Sequence, residues 1–259
     1  SSSGKTTFTK RLAIQLIANG VHPLALGIDD YFVDREHTPL DGNGAYDFES
    51  LDAVDRVLLN HQIAQLLSGQ TVHMPHYDFA TGKRNGGRKA RLAPEGIILA
   101  EGIHALNPDL LPDLKRDQIM RIYVSALTQL NIDHHNRVPT TDTRLLRRIV
   151  RDAQFRGYPA QATIQRWDSV TRGERRNIYP YQEEADAMFN SALVYELAVL
   201  KPFAEPLLAQ IPPGSIEYVE ARRLLAFLQW FRPWPADSVP DVSLLREFIG
   251  GSILQPFEL

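Results

Sequence analysis

The run Ser1-Ser2-Ser3-Gly4-Lys5-Thr6-Thr7 constrains this chain more than any other feature. It matches the closing half of the pattern G-x-x-x-x-G-K-[ST], in which consecutive backbone N–H groups and a helix N-terminus surround a polyphosphate. In that pattern the lysine reaches the outer phosphates and the next hydroxyl ligates Mg²⁺. Such a loop must open into a helix. Phe8, Leu12, Ile14, Leu16 and Ile17 recur at helical spacing until Asn19-Gly20, a stop signal. The opening glycine and the strand that delivers the chain into the loop are expected before Ser1, and the chain as it starts here is expected to be unstable without that strand. Taken alone, S-G-K-T-T also suits a solvated turn that opens a helix.

The rest of the chain supplies the context. Leu24-Ala25-Leu26-Gly27-Ile28 reads as a buried strand ending in Asp29-Asp30, and Thr71-Val72-His73-Met74 as a shorter one stopped by Pro75. Ile97-Ile98-Leu99-Ala100 reads as a second buried strand running into Glu101-Gly102, and Met120 to Val124 as a third. Helical segments around 51–67 and 144–155 lie between them. Short apolar runs alternating with amphipathic stretches predict β-α units around a mostly parallel sheet. Ligands of such sheets sit beyond the carboxyl ends of the strands, so Asp29, Asp30 and Glu101 are expected on one rim with the Lys5 loop. Residues 34–46 and 82–89, rich in glycine and charge, read as mobile loops. After about Lys201, Pro202, Pro206, Pro212-Pro213-Gly214, Pro233 and Pro235 predict short helical pieces such as 217–231. The expected division is therefore a domain over 1–200 and a helical extension over 201–259. Phe227, Trp230, Phe231 and Trp234 of the extension read as packing or a dimer surface.

Composition narrows the function classes. There are 259 residues, 44% hydrophobic and 23% charged, as in an ordinary soluble globular chain. A net charge of −3 gives no global pull toward nucleic acid or anionic membrane, so neither is an expected partner. The absence of cysteine excludes disulfides and thiolate chemistry, and fits a cytoplasmic location. No apolar run approaches the roughly 20 residues that span a bilayer.

Several residue groups suit phosphoryl transfer, which needs a metal, positive donors and a base for the acceptor hydroxyl. Thr6 and Glu101 are candidate metal ligands, Glu101 by its place at a strand end. Asp29 is the candidate base, although an aspartate there also serves as a turn or cap residue. Arg144, Arg147, Arg148 and Arg151 fall on one helical face, opposite Leu145, Leu146, Ile149 and Val150. With no acid interleaved before Asp152, the stripe reads as a phosphate-facing lid, joined by Arg156. His134-His135 beside Asp133 reads as surface polar residues, and His76 and His104 show no nucleophilic partnership.

In family order, S-S-G-K-T-T, Asp29-Asp30-Tyr31-Phe32, Tyr46-Asp47-Phe48-Glu49, Pro75-His76-Tyr77-Asp78-Phe79, Ile98-Leu99-Ala100-Glu101-Gly102 and Thr143 to Gly157 resemble the uridine kinase/phosphoribulokinase family of P-loop kinases. Arg246-Glu247-Phe248-Ile249-Gly250-Gly251-Ser252 resembles a bacterial uridine-kinase-like subgroup, in which a further N-terminal domain often precedes the kinase. The resemblance implies an α/β P-loop NTPase three-layer fold with a mostly parallel sheet and a helical C-terminal extension. It implies transfer of the γ-phosphoryl of ATP, with Mg²⁺, to a hydroxyl of a small nucleoside- or sugar-like acceptor. Asp29, Lys5, Arg148 and Arg151 would be catalytic. Ser2, Ser3, Gly4, Lys5, Thr6, Thr7, Arg151 and Arg156 would bind ATP, and Thr6 and Glu101 would hold the metal. Asp30, Tyr31, Glu49, Tyr77, Phe79, Arg84, Arg148 and Arg166 would bind the acceptor. Gly82, Lys83 and Arg84, and Arg166, stand near positions that read a pyrimidine in nucleoside kinases, so an anionic or strongly polar acceptor is expected in place of uridine. Authentic uridine/cytidine kinase activity and a regulatory ATP-binding module with vestigial chemistry stay open, as does homo-oligomerisation.

Overall fold

A computed structural model describes residues 2–42 and 44–255. Ser1 of the loop motif and Asn43 of the expected 34–46 loop lie outside the described residues. In chain order the elements are α1 (Lys5–Ala18), β1 (Pro23–Gly27), α2 (Arg56–Leu67), β2 (Thr71–Asp78), β3 (Lys83–Arg91), β4 (Ile97–Glu101), β5 (Ile122–Ser125), α3 (Thr140–Phe155), α4 (Ala160–Asn177), β6 (Ala187–Asn190), α5 (Glu196–Ala209), α6 (Ile216–Leu228) and α7 (Arg246–Ile249). The chain is α/β and forms two compact units. One takes the N-terminal residues to Phe8, Val124–Thr171 and the chain from Met188 onward; the other takes Thr9–Tyr123 and Arg172–Ala187. These units cut across the division expected near residue 200, because the last 60 or so residues share a unit with the phosphate-loop motif and α3.

The second, β-rich unit carries the strand rim. β1 and β4 run parallel, with Gly27 in register with Glu101, so both strands deliver their ends to the same side. β4 is less buried than its composition predicts: Ile97 is exposed, and Ile98 and Leu99 are half-buried. Its only described strand neighbour is β1. Beyond Gly27 a 3₁₀ turn over Ile28–Tyr31 sends Ile28 and Tyr31 into the core, together with Leu59, Ile63 and Leu66 of α2. Asp55 caps α2 by accepting from the Leu58 N–H.

β2 and β3 form an antiparallel hairpin, which corrects two expectations. β2 does not stop at Pro75; a register shift between His73 and Pro75 admits the proline, as bulges do. Residues 83–91 are a strand, not a loop. Gly87 faces the irregularity, where a Cβ would collide with the Met74 carbonyl oxygen. Only Ala90 of β3 is buried, so Lys-Arg-Asn-Gly-Gly-Arg-Lys carries no apolar alternation to reveal it. The 34–46 stretch holds one 3₁₀ turn and an isolated Leu40–Tyr46 bridge.

The helical unit is built around α3, α5, α6 and α7, whose apolar residues form one core cluster. α5 runs unbroken through Pro202 and Pro206, against the expectation of short pieces. Pro202 has no N–H to offer the Ala198 carbonyl; the Trp234 N–H takes that acceptor at 2.9 Å. Lys201 Nζ caps the far end of α6, donating to the Leu228 and Phe231 carbonyls. Arg223 of α6 grips Asp142 in the first turn of α3 with two hydrogen bonds of 2.7 and 2.8 Å. Phe227 and Phe231 are half-buried against the core, whereas Trp230 and Trp234 stay exposed. No described helix is long and apolar enough to cross a membrane.

Candidate active site

In the β-rich unit, the two aspartates after β1 have different surroundings. Asp30 accepts from the Tyr77 N–H at 3.2 Å and pairs with His76 Nδ1 at 3.0 Å, tying the turn to β2. His76 thus has an aspartate partner that the sequence reading did not foresee. Asp29 is exposed, two residues past Gly27 and therefore on the rim where Glu101 ends β4. The chain after Glu101 approaches the turn so closely that a Cβ on Gly102 would lie 2.7 Å from Ile28 Cβ. Of the two aspartates, Asp30 is the anchor and Asp29 the group presented to solvent.

The expected acceptor wall is in part a core. Tyr31 and Tyr77 are both buried. The Tyr31 hydroxyl donates to Gln62 Oε1 at 2.8 Å, and burial together with nearby Asp30 pushes its pKa up to about 12. Neither tyrosine reaches solvent, so direct acceptor contact by them is corrected. Phe79 is 61% exposed and stands edge-on to Tyr77, with ring centroids 5.1 Å apart. Phe32, Phe48 and Tyr46 continue this aromatic face. Glu49 is half-buried beside α4, where Gly173 has no Cβ that would meet it at 2.7 Å and Asn177 Nδ2 bonds its carbonyl.

Arg84 is not the loose cation expected. Its guanidinium bonds Asp55 Oδ2 at 2.8 Å, and its backbone N–H bonds Asp34. Burial pushes the Asp55 carboxyl up, but the Leu58 N–H and Arg84 outweigh it and leave the pKa below the ordinary value. Arg166 is exposed, its guanidinium 4.5 Å from the Tyr158 ring centroid. The charge at residue 84 is thus answered within the unit, which removes the main argument for an anionic acceptor.

In the helical unit, the G-K-T-T loop opens α1 as predicted. Gly4 has φ +85 and its carbonyl accepts the first helical bond from the Phe8 N–H. Ser2 holds the left-handed region at φ +57, and its buried hydroxyl has no partner among the described residues. Strained backbone and an orphan buried hydroxyl beside a helix N-terminus fit a loop shaped for a polar ligand. Thr6 is exposed and Lys5 half-buried in the first turn. The oxygen donors of Thr6 and Glu101 are the hard ligands that Mg²⁺ prefers.

The arginine stripe of α3 is corrected most. Arg147 is fully buried: its Nε bonds Glu196 at 2.5 Å, Nη1 the Ser2 carbonyl at 3.3 Å and Nη2 the Ser191 carbonyl at 2.7 Å. Phe248 of α7 lies under it, 5.0 Å from ring centroid to guanidinium carbon. Arg144 is buried against Trp167. Asp152 lies 3.3 Å from Arg148, 2.8 Å from Arg151 and 3.7 Å from Arg156. Arg147 is thus a buried, paired core residue and no part of a lid, whereas Arg148, Arg151 and Arg156 share the single carboxylate of Asp152 and keep a net positive charge. Glu196 and Asp152 are the residues sequence reasoning missed, and Glu196 lies too far along the chain for any local pattern to pair it with Arg147.

Residues 1–198 match the model of the phosphoribulokinase/uridine kinase family. The chain belongs to that family. A uridine kinase of Deinococcus deserti is 29% identical over 172 residues, covering 66% of this chain and 74% of the relative. A uridine kinase of Staphylococcus epidermidis is 30% identical over 189 residues, covering 72% and 81%. Among solved structures, the YGR205w protein superposes with a TM-score of 0.48 at 14% identity, over 73% of this chain and 82% of its own. Membership makes this chain a nucleotide-binding phosphotransferase of the kind that acts on hydroxyl groups.

Proposed function

We propose that this kinase uses ATP with Mg²⁺ to phosphorylate a hydroxyl of a small nucleoside- or sugar-like acceptor. The observation that carries the reading is the rim of the β-rich unit: exposed Asp29 two residues past the Gly27–Glu101 register pair, with its neighbour Asp30 spent on anchoring. In this reading Asp29 takes the proton from the acceptor hydroxyl as that oxygen attacks the γ-phosphorus and the bond to ADP breaks. Lys5 and the first-turn N–H groups of α1 hold the phosphates. Arg148, Arg151 and Arg156 add positive charge to them, and Thr6 and Glu101 hold the metal. Mg²⁺, when bound, neutralises charge on the phosphates. Phe79 offers its ring to the acceptor, and Glu49 its carboxylate to acceptor hydroxyls.

Asp29→Asn tests the assignment. ATP binding, followed by calorimetry, should be kept while transfer falls by roughly 10²–10⁴-fold, as for loss of a general base. Undiminished transfer would exclude Asp29 as the base. Uridine as acceptor is supported by the names of the relatives, and a neutral pyrimidine nucleoside in general by the internal pairing of Arg84. Fast turnover of uridine over sugars would select it.

A further inference from the structure

The C-terminal segment reaches the phosphate loop within the helical unit. Glu247, on α7, places Oε2 3.1 Å from the Thr7 backbone nitrogen and 2.8 Å from Thr7 Oγ1. Leu244 packs so tightly on Gly4 that a Cβ there would overlap its side chain. Thr7 is the third residue of α1, and its N–H has no acceptor one turn back inside the helix. At an ordinary helix the cap side chain would answer it, but the cap here is Gly4. A carboxylate from the other end of the chain does so instead.

Those N–H and hydroxyl donors are the groups that a G-K-T-T loop turns toward the phosphates of a nucleotide. An N–H aimed at one acceptor serves a second poorly, and a carboxylate repels a polyphosphate across so short a distance. We propose that Glu247 is a resident anion of the phosphate site, an autoinhibitory carboxylate that the nucleotide phosphates must displace from Thr7. The inference rests on the nucleotide-binding reading of the loop. Displacement requires little rearrangement. Phe248 and Ile249 are buried and hold α7 in the core, whereas Glu247 is half-buried and can swing its side chain alone. The C-terminal segment then sets the affinity of the loop through one side chain, without unfolding.

The test is tripolyphosphate binding by the full chain, measured by calorimetry for wild type and Glu247→Gln. The glutamine keeps an acceptor for Thr7 and removes the charge. It should bind tripolyphosphate on the order of tenfold more tightly, the difference between a charge-assisted and a neutral hydrogen bond. A folded Glu247→Gln chain that binds no more tightly overturns the proposal. If the variant fails to fold, a crystal structure of the wild-type chain with tripolyphosphate decides. Glu247 withdrawn from Thr7 supports the displacement; Oε2 still bonded to the Thr7 N–H overturns it. Because the probe is tripolyphosphate, failure of ATP to phosphorylate any acceptor would count against the kinase chemistry and not against this competition.

Discussion

The strand rim and the phosphate loop are held in different ways. The rim is fixed from nearby: Gly102 lets the chain after β4 press on Ile28, and Asp30 bonds β2 through His76 and Tyr77. The loop is fixed from far along the sequence, by Arg147 on the Ser2 carbonyl, Leu244 on Gly4 and Glu247 on Thr7. A site built by close backbone approach tolerates little added volume. One built by buried charge tolerates little loss of a partner. The two regions therefore call for different substitutions.

The largest expected loss of stability is at the loop. Arg147→Met leaves Glu196, 2% exposed, as a buried charge without its partner, and removal of one member of such a pair costs about 3–5 kcal/mol. Urea unfolding measures it, and adding Glu196→Gln to the same chain should recover part of the loss. An Arg147→Met chain as stable as wild type would show that the loop does not depend on this long-range ion pair.

Acid should next weaken the β-rich unit. His104 is fully buried, and burial lowers its pKa from 6.5 to about 4. Between those values the unfolded chain binds the proton and the folded chain does not. Stability is therefore complete above about pH 6.5 and falls as pH drops toward 4, by about 3 kcal/mol in all. His104→Leu should flatten that slope in unfolding curves taken from pH 7 to 4; an unchanged slope would assign the acid sensitivity elsewhere.

The smallest of the three effects is steric. Gly102→Ala adds a Cβ 2.7 Å from Ile28 Cβ, an overpacking that costs about 1–3 kcal/mol. Thermal unfolding reads it, and a neutral result would mean that the rim yields more easily than its packing suggests.

The same contrast explains what the sequence could disclose. The placement of Asp29 and Glu101 at strand ends and of Lys5 at the start of a helix was legible, because apolar runs and a short motif fix those positions locally. β1, β4 and α1 were legible for the same reason. β3 was not, because its side chains are polar on both faces and its glycines serve a bulge, not a loop. The course of α5 was not, because the acceptor freed by Pro202 is answered by Trp234 across 30 or so residues. The charges of α3 misled because Glu196 neutralises Arg147 from outside the helix and Asp152 gathers its neighbours. Tyr31 and Tyr77 belong to a family-like motif, yet burial makes them supports of the aromatic face.

The most direct measurement follows the label of γ-³²P-ATP through a panel of uridine, cytidine and free sugars with the full chain and Mg²⁺. The account predicts label in the hydroxyl of at least one acceptor, with ADP formed in equal amount. Label found only as inorganic phosphate, or left wholly in ATP with every acceptor, would contradict it.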